Sequence, residues 1–465
     1  MTLTMDPGMI SGLTVLERYE LGKLLEVYND HRAANDEKEE YYEGKIPLRK
    51  VNLGIALPDG LSRLEIGCAW GAKTVDVLAG MSVFDGFVAE DGGELAEIDA
   101  IVSKNRLIAE YQKAARDELK FGCTFATLAK DEKSGGCKIR FHSPKTAAAR
   151  WNGNLGRIAS GFAIIDTAPD ESEEKLWRPS LVYLYTDAAV IVLRRSRDNW
   201  IAERHTHRMG RPLMEPIIWN ATSGKPFGRS RIKEPIRRLI QGYVRTIANA
   251  SIGLEFATSP QKYLMGVTDA QYEAVTSDKF KQYVGNIIAG TTNPDTGEKP
   301  VFGQLPQGSI TPHVEMIRVL ATQFSAASGL AVSDTGVVND ANPTSSDAIL
   351  AQNKTLIGMA EQLNTGNGDA LCTIALMALA ISRDVTLEEL DEREKAIVAR
   401  FRNPAMPSLA ATADAAIKIA TAREGFAGTD TFLEMLGFSQ ADIRRIKGQE
   451  ARERGRTVLD ELGIA

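Results

Sequence analysis

The stretch PFGRSRIKEPIRRLIQGYVRTIANASIGLEF, residues 226–256, opens the part of the chain that decides the fold. Apolar residues recur in it at steps of three and four, which predicts one amphipathic helix. Pro235 is unfavourable inside a helix, so the helix should begin at Glu234 or Pro235. Six Lys or Arg and two Glu lie in this stretch. They indicate either a solvated face or contact with phosphate or an acidic neighbouring subunit.

A Gly- and Pro-containing excursion follows at residues 257–311. Three short strand-like pieces are predicted in it: Tyr263–Val267, Asn286–Ala289 and Val301–Leu305. The turn sequence Asn293–Gly297 separates two of these pieces. A module of this size buries little core by itself, so we expect it to pack against something else, such as a neighbouring copy.

A second helix, a polar loop and a third helix complete the stretch, which ends at residue 363. Thr311 is a suitable cap for the second helix, with Pro312 at its first position and Gly329 just past its end. Small polar residues at 330–344 predict a mobile loop. The third helix should begin near Ser345 or Ser346. The order of helix, excursion, helix, loop and helix is typical of one stave of a barrel or pore.

Composition limits the class of protein. The chain has 465 residues and a formal net charge of −6, which argues against a protein that simply coats nucleic acid. Five His are few for a metal or acid–base enzyme of this size. The four Cys are scattered without a CxxC pair, which favours free thiols in a reducing compartment. The apolar run Leu371–Ile381 is too short to cross a bilayer and predicts a buried core helix.

The first 225 residues predict an α+β domain. Helices are predicted at 14–42, Leu64–Ala79 and Ile98–Gly122, with a strand at Ser82–Val88. Turn residues then separate seven short predicted strands. These strands are Phe125–Lys130, Lys138–His142, Ala147–Asn152, Arg157–Asp166, Leu181–Thr186, Ala189–Arg194 and Trp200–His205.

The last part of the chain, 369–465, is predicted to be mostly helical. Thr386–Glu389 reads as a capping box, and Ile397–Arg402 reads as a single strand. Three helices are predicted after that strand: Ala411–Arg423, Thr431–Gly437 and the basic Gln440–Gly455.

Two glycine-rich motifs overlap near residue 68. Leu64–Gly71 resembles the first motif of adenosylmethionine-dependent methyltransferases, but its third small position is Ala69 followed by bulky Trp70, and no βαβ pattern follows. Gly67–Thr74 resembles a P-loop, but Ala72 stands where a glycine should precede the lysine. We therefore interpret this segment as a structural helix.

Two further groups of polar residues could carry chemistry. His205 and His207 could form one edge of a metal site, but no third ligand follows at ligand spacing, so an exposed strand end is favoured. Asp334 and Asp340 could be paired carboxylates, but they lie in the polar loop without a partner base. No plausible catalytic constellation is visible in 226–363.

Five segments are informative as a set because of their order along the chain. They are Tyr41–Gly44, Cys68–Gly86, Pro226–Ile232, Ser345–Ile349 and a C-terminal group made of Ile397–Pro407, Ala413–Ala415, Leu436–Ser439 and Ile443–Arg445. In this order they resemble tailed-bacteriophage portal proteins, in particular the group typified by the portal of phage SPP1. One departure is Asn403-Pro404, where the family has Asp-Pro.

The resemblance implies an α+β portal fold and a ring, usually of twelve subunits, at one capsid vertex. The implied parts are a wing at 1–225, stem helices at 226–256 and 312–329, a clip at 257–311, a tunnel loop at 330–344, a connecting helix at 345–368 and a mostly helical crown at 369–465. The implied protein is not an enzyme and has no cofactor, metal or membrane association.

The implied partners belong to phage assembly. They are double-stranded DNA in the channel, the terminase large subunit, the major capsid and scaffolding proteins, and a head–tail adaptor. The expected location is the portal vertex of the virion, and the host cytoplasm during assembly. Two alternatives remain open, namely another ring component of the capsid or neck, and an adenosylmethionine-dependent methyltransferase.

Site residues follow from the same resemblance. The tunnel loop would present Asp334, Thr335, Gly336, Asn339, Asp340 and Asn342 to DNA. Stem residues for inter-subunit or channel contacts would be Lys233, Arg237, Arg238, Arg245 and Arg318. Clip residues for terminase and adaptor docking would be Asn293, Asp295, Glu298 and Lys299. Because its only charges are acidic, we expect the loop to form a weakly repulsive collar around DNA.

Overall fold

The computed structural model describes residues 5–46, 66–90, 95–131, 135–169, 177–196, 199–258, 262–265, 297, 299, 301–304, 309–337, 346–405, 409–423, 425–438 and 440–461. The chain divides into two compact units. The first unit comprises Met1–Gly44, Ala69–Arg237 and Ser325–Ala465, and the second comprises Lys45–Cys68 and Arg238–Phe324.

The helices begin and end close to the sequence signals that predict them. They are α1 (Val15–Glu43), α2 (Trp70–Met81), α3 (Ala96–Lys104), α4 (Leu107–Phe121), α5 (Glu234–Thr258), α6 (Thr311–Ser328), α7 (Ser346–Arg383), α8 (Glu392–Lys395), α9 (Leu409–Ala422), α10 (Asp430–Met435) and α11 (Gln440–Glu461). Helix α1 has a complete capping box, because Thr14 accepts from the backbone of Glu17 and Glu17 accepts from the backbone of Thr14. Helix α5 begins at Glu234, as its proline predicts.

The strands of the first unit form three antiparallel sheets. They are β1 (Phe84–Ala89), β2 (Cys123–Lys130), β3 (Cys137–His142), β4 (Ala147–Asn152), β5 (Arg157–Pro169), β6 (Trp177–Tyr185), β7 (Ala189–Ser196), β8 (Asn199–Thr206), β9 (Met214–Ile218) and β12 (Ile397–Phe401). Five strands form a meander in the order β4-β5-β6-β7-β8, three pair as β3-β2-β9, and β1 pairs with β12. In the second unit, β10 (Lys262–Met265) pairs with β11 (Val301–Gln304).

Two apolar cores hold the first unit together. In one, the buried face of α1 packs on the five-stranded sheet through residues such as Leu24, Phe162 and Ile191. The other lies among α4, the three-stranded sheet and the second half of α7, where Leu371 and Ile374 are buried completely. Together with the helices, these sheets confirm the predicted α+β class.

Helix α7 is unusually long for a helix of this protein and is apolar over much of its length. By length and composition its segment Asn353–Arg383 resembles a membrane span. The apolar residues of its second half, from Ala370 to Ile381, are however core residues of the first unit. This burial accounts for their apolar character and confirms the predicted core helix at Leu371–Ile381.

The structure corrects the helix that we predicted over Ile98–Gly122. Two helices, α3 and α4, occupy this range, and Arg106 between them has a left-handed φ of 50°. The break has a local cause, because the side chain of Asn105 donates to the carbonyl of Cys137 (3.0 Å) and accepts from the amide of Ile139 (2.9 Å). A polar side chain that bonds to a neighbouring strand competes with helix continuation.

Two other boundaries differ from the predictions. Helix α7 is continuous across residues 368 and 369, and the domain division at that point stays a prediction. Glu389 does accept from the amide of Thr386 (2.7 Å), but the helix with a complete capping box begins after Asp391. Helix α2 begins at Trp70 and residues 66–69 before it are not helical, whereas the predicted start at Leu64 lies outside the described residues.

Candidate functional site

Helix α2 packs unusually close to the end of α1. A Cβ atom added to Gly71 would lie 2.0 Å from the carbonyl oxygen of Tyr41, far inside any allowed contact. Gly71 therefore permits a close approach between two helices. The glycine-rich motif around it serves packing, and nothing in this geometry forms a phosphate cradle.

Arg231 joins four segments of the first unit from a buried position. Its Nε donates to the carbonyl of Thr74 in α2 (2.8 Å), and its Nη2 donates to the carbonyl of Ser328 at the end of α6 (2.6 Å). Its Nη1 lies 3.0 Å from the sulfur of Met359 in α7. Arg231 itself precedes α5. Its guanidinium therefore connects the start of α5 and the end of α6 to α2 and α7.

The charge of Arg231 is solvated by neutral groups. Burial lowers the pKa of the guanidinium to about 10, so the side chain remains charged at neutral pH. Two of its three partners are carbonyl oxygens, and Ser328 is the last residue of α6. The C-terminal carbonyls of a helix carry partial negative charge, which favours a cation there.

The segment after α6 has a second anchor on α2. The indole nitrogen of Trp70, which is buried, donates to the carbonyl of Thr335 (3.2 Å). Between the anchors at Ser328 and Thr335, Gly329 has a left-handed φ of 77° and Ser325 donates to the carbonyl of Leu330 (2.6 Å). Helix α2 therefore holds the base of the predicted loop through Trp70 directly and through Arg231.

The structure places the described loop residues next to this anchor. Asp334 and Thr335 lie in a short 3-10 helix, Val332–Thr335, which Gly336 ends with a φ of 79°. Asp334 is half-buried, and the hydroxyl of Thr335 donates to the carbonyl of Val332 (2.6 Å). The other predicted loop residues, Asn339, Asp340 and Asn342, lie outside the described residues.

The predicted stem residues fall into three groups. Arg237 pairs within its own chain, with Glu37 of α1 (2.8 Å) and Glu234 (3.2 Å). Arg318 is exposed and pairs with Glu315 one turn earlier (3.1 Å). Arg238 and Arg245 are exposed on α5, and Lys233 is exposed directly before its first residue.

Few of the other predicted or candidate residues are gathered into a site. Of the clip residues, Lys299 is exposed, whereas Asn293, Asp295 and Glu298 belong to the part of the chain that is not described. His205 is exposed at the end of β8, and burial lowers the pKa of His207 just beyond it. Among the described residues, no three His, Cys, Asp or Glu lie close enough to hold a metal ion.

Sequence reasoning missed the roles of Arg231 and Trp70. In the sequence, Arg231 is one of six cations of the basic stretch, and Trp70 is a bulky residue in a glycine-rich motif. The one feature that distinguishes Arg231 in the sequence is its position between Ser230 and Ile232, just before the start of the helix and not on its charged face. Nothing in the sequence indicates that Trp70 bonds to Thr335, since 265 positions separate them.

Comparison with known proteins shows that this chain is similar to portal proteins of bacteriophages. Two curated relatives carry that name. The portal protein of Mycobacterium phage D29 is 22% identical over 452 residues, covering 94% of this chain and 89% of the relative. The portal protein of Mycobacterium phage L5 is 23% identical over 429 residues, covering 88% and 84%. These relatives confirm the resemblance indicated by the ordered sequence motifs. No family model matches the chain.

Similar solved structures come from gene transfer agent particles. One is the neck of the native particle computed with C12 symmetry, at a TM-score of 0.45 and 12% identity, covering 79% of this chain and 89% of that chain. Another is the neck of the empty particle computed with C6 symmetry, at a TM-score of 0.45 and 12% identity, covering 79% and 90%.

Proposed function

We propose that this chain forms the ring-shaped portal channel at one capsid vertex, through which double-stranded DNA is packaged and ejected. The observation that carries the proposal is the relationship to two phage portal proteins across most of both chains. The order of portal-like motifs along this sequence supports it independently. A protein of this kind is a structural component of a phage particle and has no catalytic activity of its own.

The parts of the proposed subunit follow the sequence ranges given above. Residues 1–225 form the wing, 226–256 and 312–329 the stem, 257–311 the clip, 330–344 the tunnel loop, 345–368 the connecting helix and 369–465 the crown. The anchors on α2 support the assignment of the tunnel loop, because a segment that meets DNA needs a fixed base. Trp70 and Arg231 supply such a base at Thr335 and Ser328.

Two kinds of charge have different roles in this proposal. The acidic tunnel loop lines the channel without gripping DNA, because each neutralised phosphate would add salt-dependent affinity. The exposed cations Lys233, Arg238, Arg245 and Arg318 pair with acidic groups of neighbouring subunits or form positive bands along the bore. Arg237 and Arg318 already have carboxylate partners within their own chain, so they contribute less to either role.

The proposed partners are those of a head assembly pathway. The terminase large subunit docks at the clip during packaging, and a head–tail adaptor replaces it afterwards. Scaffolding and major capsid proteins contact the ring during assembly, in the host cytoplasm. The ring then remains in the virion, and it needs no cofactor.

Negative-stain microscopy of the purified full-length protein tests the proposal. We expect rings with a central hole, about twelve-fold, together with binding of the terminase large subunit in a pull-down assay. Rings that never bind terminase would support the alternative of another neck component. A monomer or dimer that binds adenosylmethionine would overturn the proposal in favour of the methyltransferase.

A further inference from the structure

Helix α7 contains a weak stretch at its middle. Residues Asn364-Thr365-Gly366-Asn367-Gly368 are five consecutive poor helix formers inside a helix of 38 residues. Packing does not require the two glycines. A Cβ at Gly366 would meet nothing within 4 Å, and a Cβ at Gly368 would make an ordinary contact of 3.6 Å with Phe401. The stretch therefore weakens α7 without a steric reason.

A buried polar network crosses this stretch. Asn367 donates from Nδ2 to Glu118 Oε2 (2.7 Å) and to the hydroxyl of Tyr111 (2.8 Å), both on α4. Ser82 donates its only hydroxyl hydrogen to Asn364 Oδ1 (2.6 Å), so Tyr111 must be the donor in its 2.6 Å bond with Ser82. These donations fix the orientation of the Asn367 amide.

Two acceptors in the network have no partner among the described residues. They are Glu118 Oε1 and Asn367 Oδ1, and both residues are 0% exposed. The titratable groups that face Glu118 are Tyr111 on α4 and Cys123 on β2. Asn367 is its partner on α7, and no cation of the described chain compensates its charge. Burial raises the pKa of Glu118 from 4.5 to about 8.

We propose that Glu118 is a neutral acid whose proton lies on Oε1 and is donated to Asn367 Oδ1. Together with the bond from Asn367 Nδ2 to Glu118 Oε2, this closes a two-bond carboxylic acid–amide pair between α4 and α7. The pair satisfies both unpartnered acceptors with a single proton. It latches the weak stretch of α7 onto the core, so that residues 346–363 and 369–383 act as one continuous helix.

The latch makes the stability of α7 depend on pH. Because the pKa of Glu118 is higher in the folded protein than its usual value of 4.5, folding takes up a proton between these two values. The stabilisation is complete below about pH 4.5 and is lost as pH rises to about 8, at about tenfold in the unfolding equilibrium per pH unit. Above that range the carboxylate has no hydrogen to donate, and the 364–368 stretch is released.

Glu118→Gln separates this latch from ordinary packing. The glutamine amide can donate to Asn367 Oδ1 and accept from its Nδ2 at every pH, so it reproduces the closed pair without a titrating proton. Glu361→Gln on the exposed side of the same helix is the matched control. Hydrogen exchange of the peptide containing 364–368, corrected for intrinsic exchange, is measured on the full-length assembled protein from pH 5 to 9.

We expect wild type and Glu361→Gln to lose protection in this peptide at least tenfold between pH 6 and pH 9. Glu118→Gln should keep its protection constant over the same range. Equal pH dependence of wild type and Glu118→Gln, or constant protection in wild type, would overturn the proposal.

Infrared difference spectroscopy keeps the proposal testable if Glu118→Gln folds poorly. Burial also raises the pKa of Glu215, to about 7, so the spectrum is recorded on Glu215→Gln, and at pH 6 it should contain the carbonyl band of a protonated carboxylic acid that disappears at pH 9. The double variant Gly366→Ala, Gly368→Ala should retain that band while protecting the 364–368 peptide at pH 9. Absence of the acid band at pH 6 contradicts a neutral Glu118.

Discussion

At the scale of single residues, Gly71 shows how one missing side chain fixes a helix pair. Helix α2 contains a second glycine, Gly80, which is exposed and has nothing within 4 Å of a Cβ position. The two positions therefore differ in the room available for a Cβ atom but share a helix and a backbone conformation.

Gly71→Ala should destabilise the fold by about 3 kcal/mol or more, because its Cβ would meet backbone that cannot move without displacing α1. Gly80→Ala should be neutral or stabilising by up to about 1 kcal/mol, since alanine is the better helix former. Urea unfolding of both variants checks this. Equal stabilities would show that α2 is free to shift away from Tyr41.

Arg231 provides a second prediction at this scale. Replacement by Met keeps the length of the side chain but leaves the carbonyls of Thr74 and Ser328 without their donor. We expect a loss of about 2–4 kcal/mol in the free energy of unfolding. Arg229→Met, at an exposed arginine two residues away, should change it by less than about 0.5 kcal/mol. A loss as small as that for Arg231→Met would contradict the role of this guanidinium.

The partners of the arginines in the basic stretch cannot be predicted from the sequence. Arg231 and Arg237 belong to the same basic stretch, yet the first bonds to backbone carbonyls and the second to carboxylates of its own chain. Composition and spacing treat these two side chains alike. Only the arrangement of α1, α2 and α6 around them distinguishes their environments.

At the scale of elements, α2 contacts the end of α1, the segment after α6 and the residue that precedes α5. Its first turn contacts the end of α1 and holds Thr335, and its middle accepts from Arg231. Loss of one of these contacts should therefore loosen a specific neighbour and leave the remaining core intact.

Trp70→Phe removes the hydrogen bond to Thr335 and part of a buried ring. We expect a loss of about 1–2 kcal/mol and faster hydrogen exchange in the peptide that spans 330–337. The same substitution at Trp177, which is 53% exposed, is the control and should leave that peptide unchanged. Unchanged exchange in Trp70→Phe would mean that the indole bond does not anchor the loop base.

Elements with a simple period were predictable from the sequence, and elements set by distant contacts were not. The turn residues that separate short segments in 124–206 and the three- and four-residue steps of α5 predicted strands and a helix that the structure contains. The break at Asn105 depends on a bond to β3, which the periodicity of Ile98–Gly122 does not contain. The full length of α7 depends on burial against two sheets, which overrides the poor helix formers at 364–368.

At the scale of the whole molecule, charge is the property that the proposed channel depends on. Every copy carries a formal net charge of −6, so a ring repels DNA except where cations are concentrated. The loop at 330–344 contains Asp334 and Asp340 and no cation, which suits a surface past which DNA slides.

The double variant Asp334→Lys, Asp340→Lys should convert that loop into a phosphate-binding collar. We expect assembled particles to package DNA more slowly and to retain it more tightly, with an effect that weakens as salt is raised. DNA content per particle and ejection at two salt concentrations measure this. Unchanged packaging and retention would contradict the proposed role of the loop.

The pairing of β1 with β12 has a consequence for how the protein is made. Phe84 lies opposite Phe401, so this sheet can close only after residue 401 has been synthesised and has left the ribosome. Such distant pairing slows folding and leaves β1 as an open strand edge in any shorter product. A nascent or truncated polypeptide that ends before residue 397 therefore lacks the partner strand of β1, and its exposed strand edge is available for pairing with other chains, which favours aggregation.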